Sequence, residues 1–268
     1  MGTAPTQTLP QRRLLNQNSN GRLQQKLIRT YHLAKRRGSP AIRAQSSPSG
    51  KQQMLVFVPS HPLVKHWLAV ARNKLSPPQV FRSALAELGR LLIYEATAQG
   101  DWLPVLEGQA ETPCGVADVA FLDPGRPVKV VPILRAGLVL LEEAATVLPS
   151  AQTCHVGYVR DESSLEATAY LNKLPASLSA DDRILVVDPM LATGGTMVQV
   201  LDDIIGRGAS PSNIRIVTVV CAPAALQKLS EGYPGLKVYS AMIDAELNDK
   251  GYIVPGLGDA GDRAFGTL

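Results

Sequence analysis

From residue 128 onward, short apolar runs alternate with segments of a different rhythm. The runs are 128–134 (VKVVPIL), 153–159 (TCHVGYV), 183–188 (RILVVD), 214–222 (IRIVTVVCA) and 237–244 (KVYSAMID). They are continuous rather than alternating, which predicts strands covered on both faces. Between them, 138–148 (LVLLEEAATVL), 197–206 (MVQVLDDIIG) and 223–232 (PAALQKLSEG) have helical spacing. Upstream, Leu63, Val64, Trp67, Leu68 and Ala71 form one helical stripe. Pro77 and Pro78 break the chain and can open a second helix, striped by Val80, Phe81, Leu85, Leu88, Leu91 and Leu92. These two helices carry no evident chemistry and read as core and subunit-contact elements. The stretch near 100–127 is rich in turn residues, and no internal repeat is present. The pattern predicts an α/β fold: a mainly parallel sheet flanked by helices, with N-terminal helices ahead of it.

The first 53 residues break this pattern. They hold ten Lys/Arg and no Asp or Glu; the first acid is Glu87. The whole chain carries 27 basic and 23 acidic residues, a net charge of +4. Residues 54–268 therefore hold 17 basic against 23 acidic residues, and the basicity belongs to the leader. An acid-free leader with Arg and Ser and no apolar core reads as an organellar transit peptide. The expected destination is a plastid, with a mitochondrion second; a plain disordered tail or an RNA-binding arm are the alternatives. Residues 39–53 (SPAIRAQSSPSGKQQ) read as a linker, so the folded domain is expected at 54–268. The mildly acidic body argues against nucleic acid as partner. No run of roughly 18 apolar residues suggests a membrane span. Cys114, Cys154 and Cys221 are far apart and form no C-x-x-C. His32, His61, His66 and His155 lack metal-ligand spacing. A reducing compartment and no structural metal follow, and His61 and His66 read as surface or interface residues.

Open α/β sheets bind ligands at the carboxyl ends of their strands. The informative residues should therefore come directly after the apolar runs: Arg135, Arg160 and the loop Asp188–Thr196. Thr193, Gly194, Gly195 and Thr196 open a helical segment, and a helix N-terminus offers unpaired N–H groups and partial positive charge. Glycines would let an anion approach, making a phosphate cradle; the plainer alternative is a tight β–α turn with a Thr cap. Asp188 would repel a phosphate but, as an acceptor-only group, suits ribose hydroxyls. A sugar phosphate is implied. Arg135 and Arg160 then either bind a second phosphate group or pair with local acids, Glu142 and Glu143 or Asp161 and Glu162. Gly256, Gly258 and Gly261 spell G-x-G-x-x-G, but a dinucleotide site needs a βαβ unit after it and only seven residues remain. No G-x-x-x-x-G-K-[ST] occurs. The plainer alternative for the C-terminal tail is a loop capping the core.

The segment VVDPMLATGGT resembles the phosphoribosyl-pyrophosphate (PRPP) motif of type I phosphoribosyltransferases, and DPMLATGG is similar to the uracil phosphoribosyltransferase form. VVPILRAG, SHPLVKHWL, YEATA and GYIVPGLGDAGDRAFGT agree with that family, in order, over about residues 54–268. The resemblance implies transfer of phosphoribose from PRPP to uracil, giving uridine 5′-monophosphate and pyrophosphate. It implies that Arg135 and Arg160 contact the pyrophosphate and that Asp188 binds the ribose hydroxyls. Pro189, Met190, Leu191, Ala192, Thr193, Gly194, Gly195 and Thr196 complete the PRPP site, with the 5′-phosphate on Thr193–Thr196. Ile253, Gly258, Asp259 and Ala260 form a C-terminal base-binding loop for uracil, Asp259 also lying near PRPP; Asp188 and Asp259 are the implied catalytic residues. Mg2+ would ride on the pyrophosphate rather than on a protein site. The resemblance further implies a homo-oligomer, dimer or tetramer, and allows GTP as an effector. Two departures are Ala167, where proline is usual, and Thr196, where serine is common. The rivals are a regulator that kept the fold and a transferase for another base; orotate would need a cation, and the tail offers none before Arg263.

Overall fold

A computed structural model describes residues 53–98, 102–160 and 167–267. The expected leader falls almost wholly outside the described residues, as do Asp161 and Glu162 and the side chains of Arg160 and Ala167. Thirteen strands and six α-helices are described. In chain order, β1 is Leu55–Phe57, α1 Pro62–Arg72 and α2 Pro78–Thr97. Then come β2 Val105–Thr112, β3 Gly115–Leu122, β4 Lys129–Leu134, a 3-10 helix Ala136–Leu141 and the single turn α3, Ala144–Val147. β5 is Gln152–Thr153, β6 Val156–Arg160, β7 Ala167–Asn172, β8 Ile184–Val187, β9 Met190–Leu191 and α4 Gly195–Gly206. β10 (Ile214–Cys221), α5 (Pro223–Gly232), β11 (Lys237–Ile243), β12 (Glu246–Leu247), β13 (Ile253–Val254) and α6 (Ala260–Phe265) complete the chain.

The main sheet runs β1-β11-β10-β8-β4-β6-β7, with β5 beside β4 and β9 beside β10. Its pairings are parallel except β6–β7. The continuous apolar runs are explained by a core on each face. Leu185 and Val187 of β8 pack with Val64, Leu68, Phe81, Leu85 and Leu88 of α1 and α2. Ile184 and Val186 point the other way, into Met197, Val200, Leu201 and Ile204 of α4 and Leu226 and Leu229 of α5. The expected α/β class, with a largely parallel sheet flanked by helices, is the fold observed.

Four local expectations need correction. The turn-rich stretch contains the antiparallel hairpin β2–β3, in register from Val105 with Leu122 to Thr112 with Gly115. Its residues are mostly exposed, so no core-facing apolar run marks it. Residues 138–148 are not one α-helix but a 3-10 segment followed by a single turn. Their start is squeezed beneath β8: a methyl group at Gly137 would lie 2.5 Å from the Val187 carbonyl oxygen. The run 153–159 is split between β5 and β6. Finally, Leu63 and Val80, counted in the two helical stripes, are exposed. No described helix is long and apolar enough to cross a membrane.

Candidate active site

β8 delivers Asp188 to the carboxyl edge of the sheet, and neighbouring strands fix the loop beyond it. The Asp188 N–H donates to the Val217 carbonyl (3.1 Å). The Pro189 carbonyl accepts from both Val219 and Val220 N–H (3.0 and 3.1 Å), and Leu191 accepts from Ala222 (2.9 Å). The chain thus steps away from β10 at Asp188 and rejoins it as β9. Pro189 and Leu191 are buried, so they support the loop rather than line an open surface; Thr193 is exposed. Gly194 then caps α4 in the left-handed region (φ 76°) with no side-chain cap hydrogen bond. A side chain would be strained there. The expected alternative, a threonine capping this turn, is not what the loop does. The first-turn N–H groups of Gly195, Thr196 and Met197 are left without helical partners.

The Asp188 carboxyl sits in poorly hydrated surroundings. Desolvation pushes its pKa up to about 7, while a hydrogen bond from the Met190 backbone N–H pulls the other way. Ionisation is costly for a carboxyl at that value, and donors brought by a ligand would offset the cost.

Arg135 follows β4 across a cis Leu134–Arg135 peptide. The close approach at Gly137 sets this turn directly against the end of β8, one residue before Asp188. Neither expected local acid holds Arg135. Glu142 pairs instead with Arg82 of α2. The Arg135 guanidinium, half exposed, donates to Asp262 of α6 at 3.0 Å. Arg160 ends β6, next to β4 in the sheet, but its side chain lies outside the described residues.

Asp262 belongs to the C-terminal tail, which comes to the same edge. A methyl group at Gly261 would lie 3.9 Å from Arg135 Nη2, and one at Gly251 the same distance from Thr193 Cγ2. The tail therefore meets both expected PRPP loops. Within it, Ile253 and Ala260 are buried in the core while Gly258 is exposed. Asp259 caps α6, its carboxylate accepting from the Asp262 N–H at 2.9 Å.

Three residues to which the sequence pattern assigns no role anchor this tail. Asp244 follows β11, is buried, and accepts from Arg72 of α1 (2.8 Å) and from the Gly256 N–H (3.0 Å). Arg263 donates to the carbonyls of Leu257, Ala71 and Asn73 at 2.6–2.8 Å and lies over the Phe81 ring at 4.0 Å. Asp244 carries the same signal as Asp188, an acid directly after a buried strand. His61 also proves structural: its Nδ1 accepts from Leu63 N–H and caps α1. At the amino ends of the strands a polar cleft is lined by Arg126, Lys129, Asp181, Asp182 and Arg183. Lys129 pairs with Asp182 there (2.6 Å) and Arg183 donates to the Trp102 and Asp181 carbonyls.

The sequence model of uracil phosphoribosyltransferase matches residues 58–267. The chain belongs to the uracil phosphoribosyltransferase family. A Nicotiana tabacum uracil phosphoribosyltransferase is 54% identical over 226 residues, 84% of this chain and 100% of that one. Uracil phosphoribosyltransferase of Synechococcus elongatus strain PCC 7942 is also 54% identical, over 80% of this chain and 98% of its own. The relative named chloroplastic uracil phosphoribosyltransferase in Arabidopsis thaliana is 53% identical, over 84% of this chain and 75% of its length. Among solved structures, the AQ2163 protein of Aquifex aeolicus is 35% identical with a TM-score of 0.69, covering 79% of this chain and 98% of that one. The edge where the uracil phosphoribosyltransferase motifs meet is thus the carboxyl edge of the sheet, not the cleft at its amino ends.

Proposed function

We propose that this chain is a uracil phosphoribosyltransferase that salvages uracil as uridine 5′-monophosphate. The observation that carries the reading is the convergence of the Arg135 turn, the Asp188–Thr196 loop and the 251–261 tail at one sheet edge. Arg135 and Arg160 hold the pyrophosphate, Asp188 the ribose hydroxyls, and Pro189 to Thr196 the rest of PRPP, with the 5′-phosphate on Thr193–Thr196. Ile253, Gly258, Asp259 and Ala260 hold uracil, and Asp259 also lies near PRPP. Uracil N1 bonds to the anomeric carbon as the carbon–oxygen bond to pyrophosphate breaks, the electron pair leaving on that oxygen; the N1 proton passes to pyrophosphate or solvent. Cationic charge builds on the ribose, so fixed geometry and electrostatics can supply most of the acceleration without a covalent nucleophile.

Magnesium fits this chemistry. The oxygens of pyrophosphate are the hard ligands Mg2+ takes. The described residues hold no cluster of three or more His, Cys, Asp or Glu placed for a metal. On this reading Mg2+ would be carried by the pyrophosphate rather than by a protein site, and would neutralise the leaving charge.

The Arabidopsis relative named as chloroplastic and the acid-free leader together support residence in a plastid. A full-length fluorescent fusion should enter plastids; retention in the cytosol would refute this. A chain starting at Met54 should remain active. On the hairpin β2–β3 the cross-strand pair Leu106 and Phe121 is exposed on one face, and Val105 and Val116 are exposed on the other; these uncovered apolar side chains support self-association into a dimer or tetramer. The activity itself is tested by pyrophosphate release from PRPP with a panel of bases. Release with uracil supports the assignment, and release only with another base overturns it.

A further inference from the structure

We infer that Arg263, with the Arg72–Asp244 pair, is a positioning device that holds the tail backbone in its base-reading geometry before any ligand binds. The inference rests on the proposed role of Gly258–Ala260 in holding uracil. These residues hang between two sets of anchors. On the amino side, Gly256 and Leu257 are buried and tied down. The Gly256 N–H donates to Asp244 at 3.0 Å, and its carbonyl accepts from Arg72 Nη1 at 3.3 Å. The Leu257 carbonyl accepts from Arg263 at 2.6 Å. On the carboxyl side, Asp259 caps α6. Between the anchors only Gly258 is exposed, held at φ 72°.

Both tethers run to the same place, the carboxyl end of α1. Arg72 reaches Asp244 and Gly256 from there, and Arg263 returns to it through the Ala71 and Asn73 carbonyls (2.7 and 2.8 Å). The Arg263 guanidinium joins three carbonyls at once while lying over Phe81, which a lysine ammonium cannot reproduce in the same plane. Asp244 divides its two oxygens between Arg72 and the loop N–H, so any shift of α1 is felt by the loop. A site that reads a base with backbone groups has no side-chain freedom with which to correct an error of placement. A displacement of about 1 Å in such a site can cost on the order of a hundredfold in rate. This gives the N-terminal helices, otherwise plain core elements, a part in base recognition.

The test is steady-state kinetics with uracil and PRPP each varied, on wild type, Arg263→Met and Arg263→Lys, alongside thermal melts. Methionine keeps an unbranched apolar stem against Phe81 and removes the donors. The expected result for Arg263→Met is a KM for uracil raised about tenfold or more, with the KM for PRPP nearly unmoved. Arg263→Lys should recover part of the loss. Asp244→Asn, which keeps an acceptor for the Gly256 N–H, should show the same split and serves if Arg263→Met does not fold. Unchanged uracil kinetics in folded variants, a parallel rise in both KM values, or loss of fold in both variants would each overturn the positioning role. A wild-type protein that ignores uracil would sink the base-site reading and this inference with it. A wild type that uses uracil beside an unmoved Arg263→Met sinks the inference alone.

Discussion

The phosphate side and the base side of the candidate site are held by different kinds of contact. The Asp188–Thr196 loop lies between β8 and α4, consecutive in sequence, and its backbone bonds go to β10 alongside. Any βα unit of a parallel sheet would hold such a loop in much the same way. The tail 256–260 has no such neighbourhood. Its tethers run back to Arg72 and Ala71, separated by 184 residues from Gly256 and 192 from Arg263. The first side should therefore answer mainly to changes within the loop, and the second to changes far from it.

The largest effect expected from this contrast is selection of the base. Uracil presents an acceptor at O4 and a donor at N3–H, whereas cytosine reverses the pattern. With the Ile253 and Ala260 side chains buried and none on Gly258, these three can read it only through backbone N–H and C=O, which cannot exchange roles. Cytosine should be refused by about 10⁴-fold or more, because it leaves polar groups unpaired on both sides. 5-Fluorouracil changes neither group and should turn over comparably to uracil. Competition assays with the three bases check this, and efficient use of cytosine breaks the account of the base side.

On the phosphate side, Asp188→Asn should lower turnover by roughly ten- to a hundredfold, the worth of about 1.5–3 kcal/mol for a charge-assisted contact. The protein should still fold, since the loop is held by its backbone. Wild-type kinetics in the variant would remove Asp188 from the ribose role. Arg135→Ala comes next, with the KM for PRPP raised about tenfold and uracil affinity nearly unchanged. Its pairing with Asp262 is solvent-exposed, and such bridges contribute about 0–1 kcal/mol. The melting temperature should therefore hardly move. A large fall would mean that the bridge to α6 is structural after all.

The same contrast explains what can be read from the chain alone. Val187, Asp188, Thr193 and Gly194 announce themselves because an apolar run, an acid and a glycine turn stand in the order in which the sheet uses them. The strands β8, β10 and β11 are equally plain, being buried on both faces. Arg72 and Arg263 are ordinary charges in their own segments and gain meaning only when α1 docks against β11 and α6; Asp244 follows a buried strand as Asp188 does, but its partners Arg72 and Gly256 lie in other segments. The β2–β3 hairpin escapes for another reason: its packing within this chain is slight, so no core-facing pattern is imposed on it. The run after Arg135 has helical spacing, but spacing cannot see that Gly137 is pressed against β8. Even for Arg135 the nearby acids mislead, since its observed partner Asp262 lies 127 residues away.

The smallest effect, and the one that isolates the phosphate side most cleanly, is the pH dependence of stability. Burial raises the Asp188 carboxyl in the folded protein from 3.8 to about 7. Between those values the folded state holds a proton that the unfolded state has released, so stability falls as pH rises through the interval and the full deficit is present above about 7. The amide of the Asp188→Asn protein cannot ionise. The ligand-free variant and wild type should melt alike below about pH 4, diverge through the window, and level off above about pH 7 with the variant the more stable. Asp188 retains some exposure, so solvent softens the effect to on the order of 1 kcal/mol, or about 2–4 °C. Melting curves of both proteins from about pH 4 to about pH 8 measure it. Equal melting temperatures across the range would place Asp188 in better hydrated surroundings. The substitution that costs turnover would then carry no gain in stability, and the desolvation cost assigned to the Asp188 carboxylate would vanish.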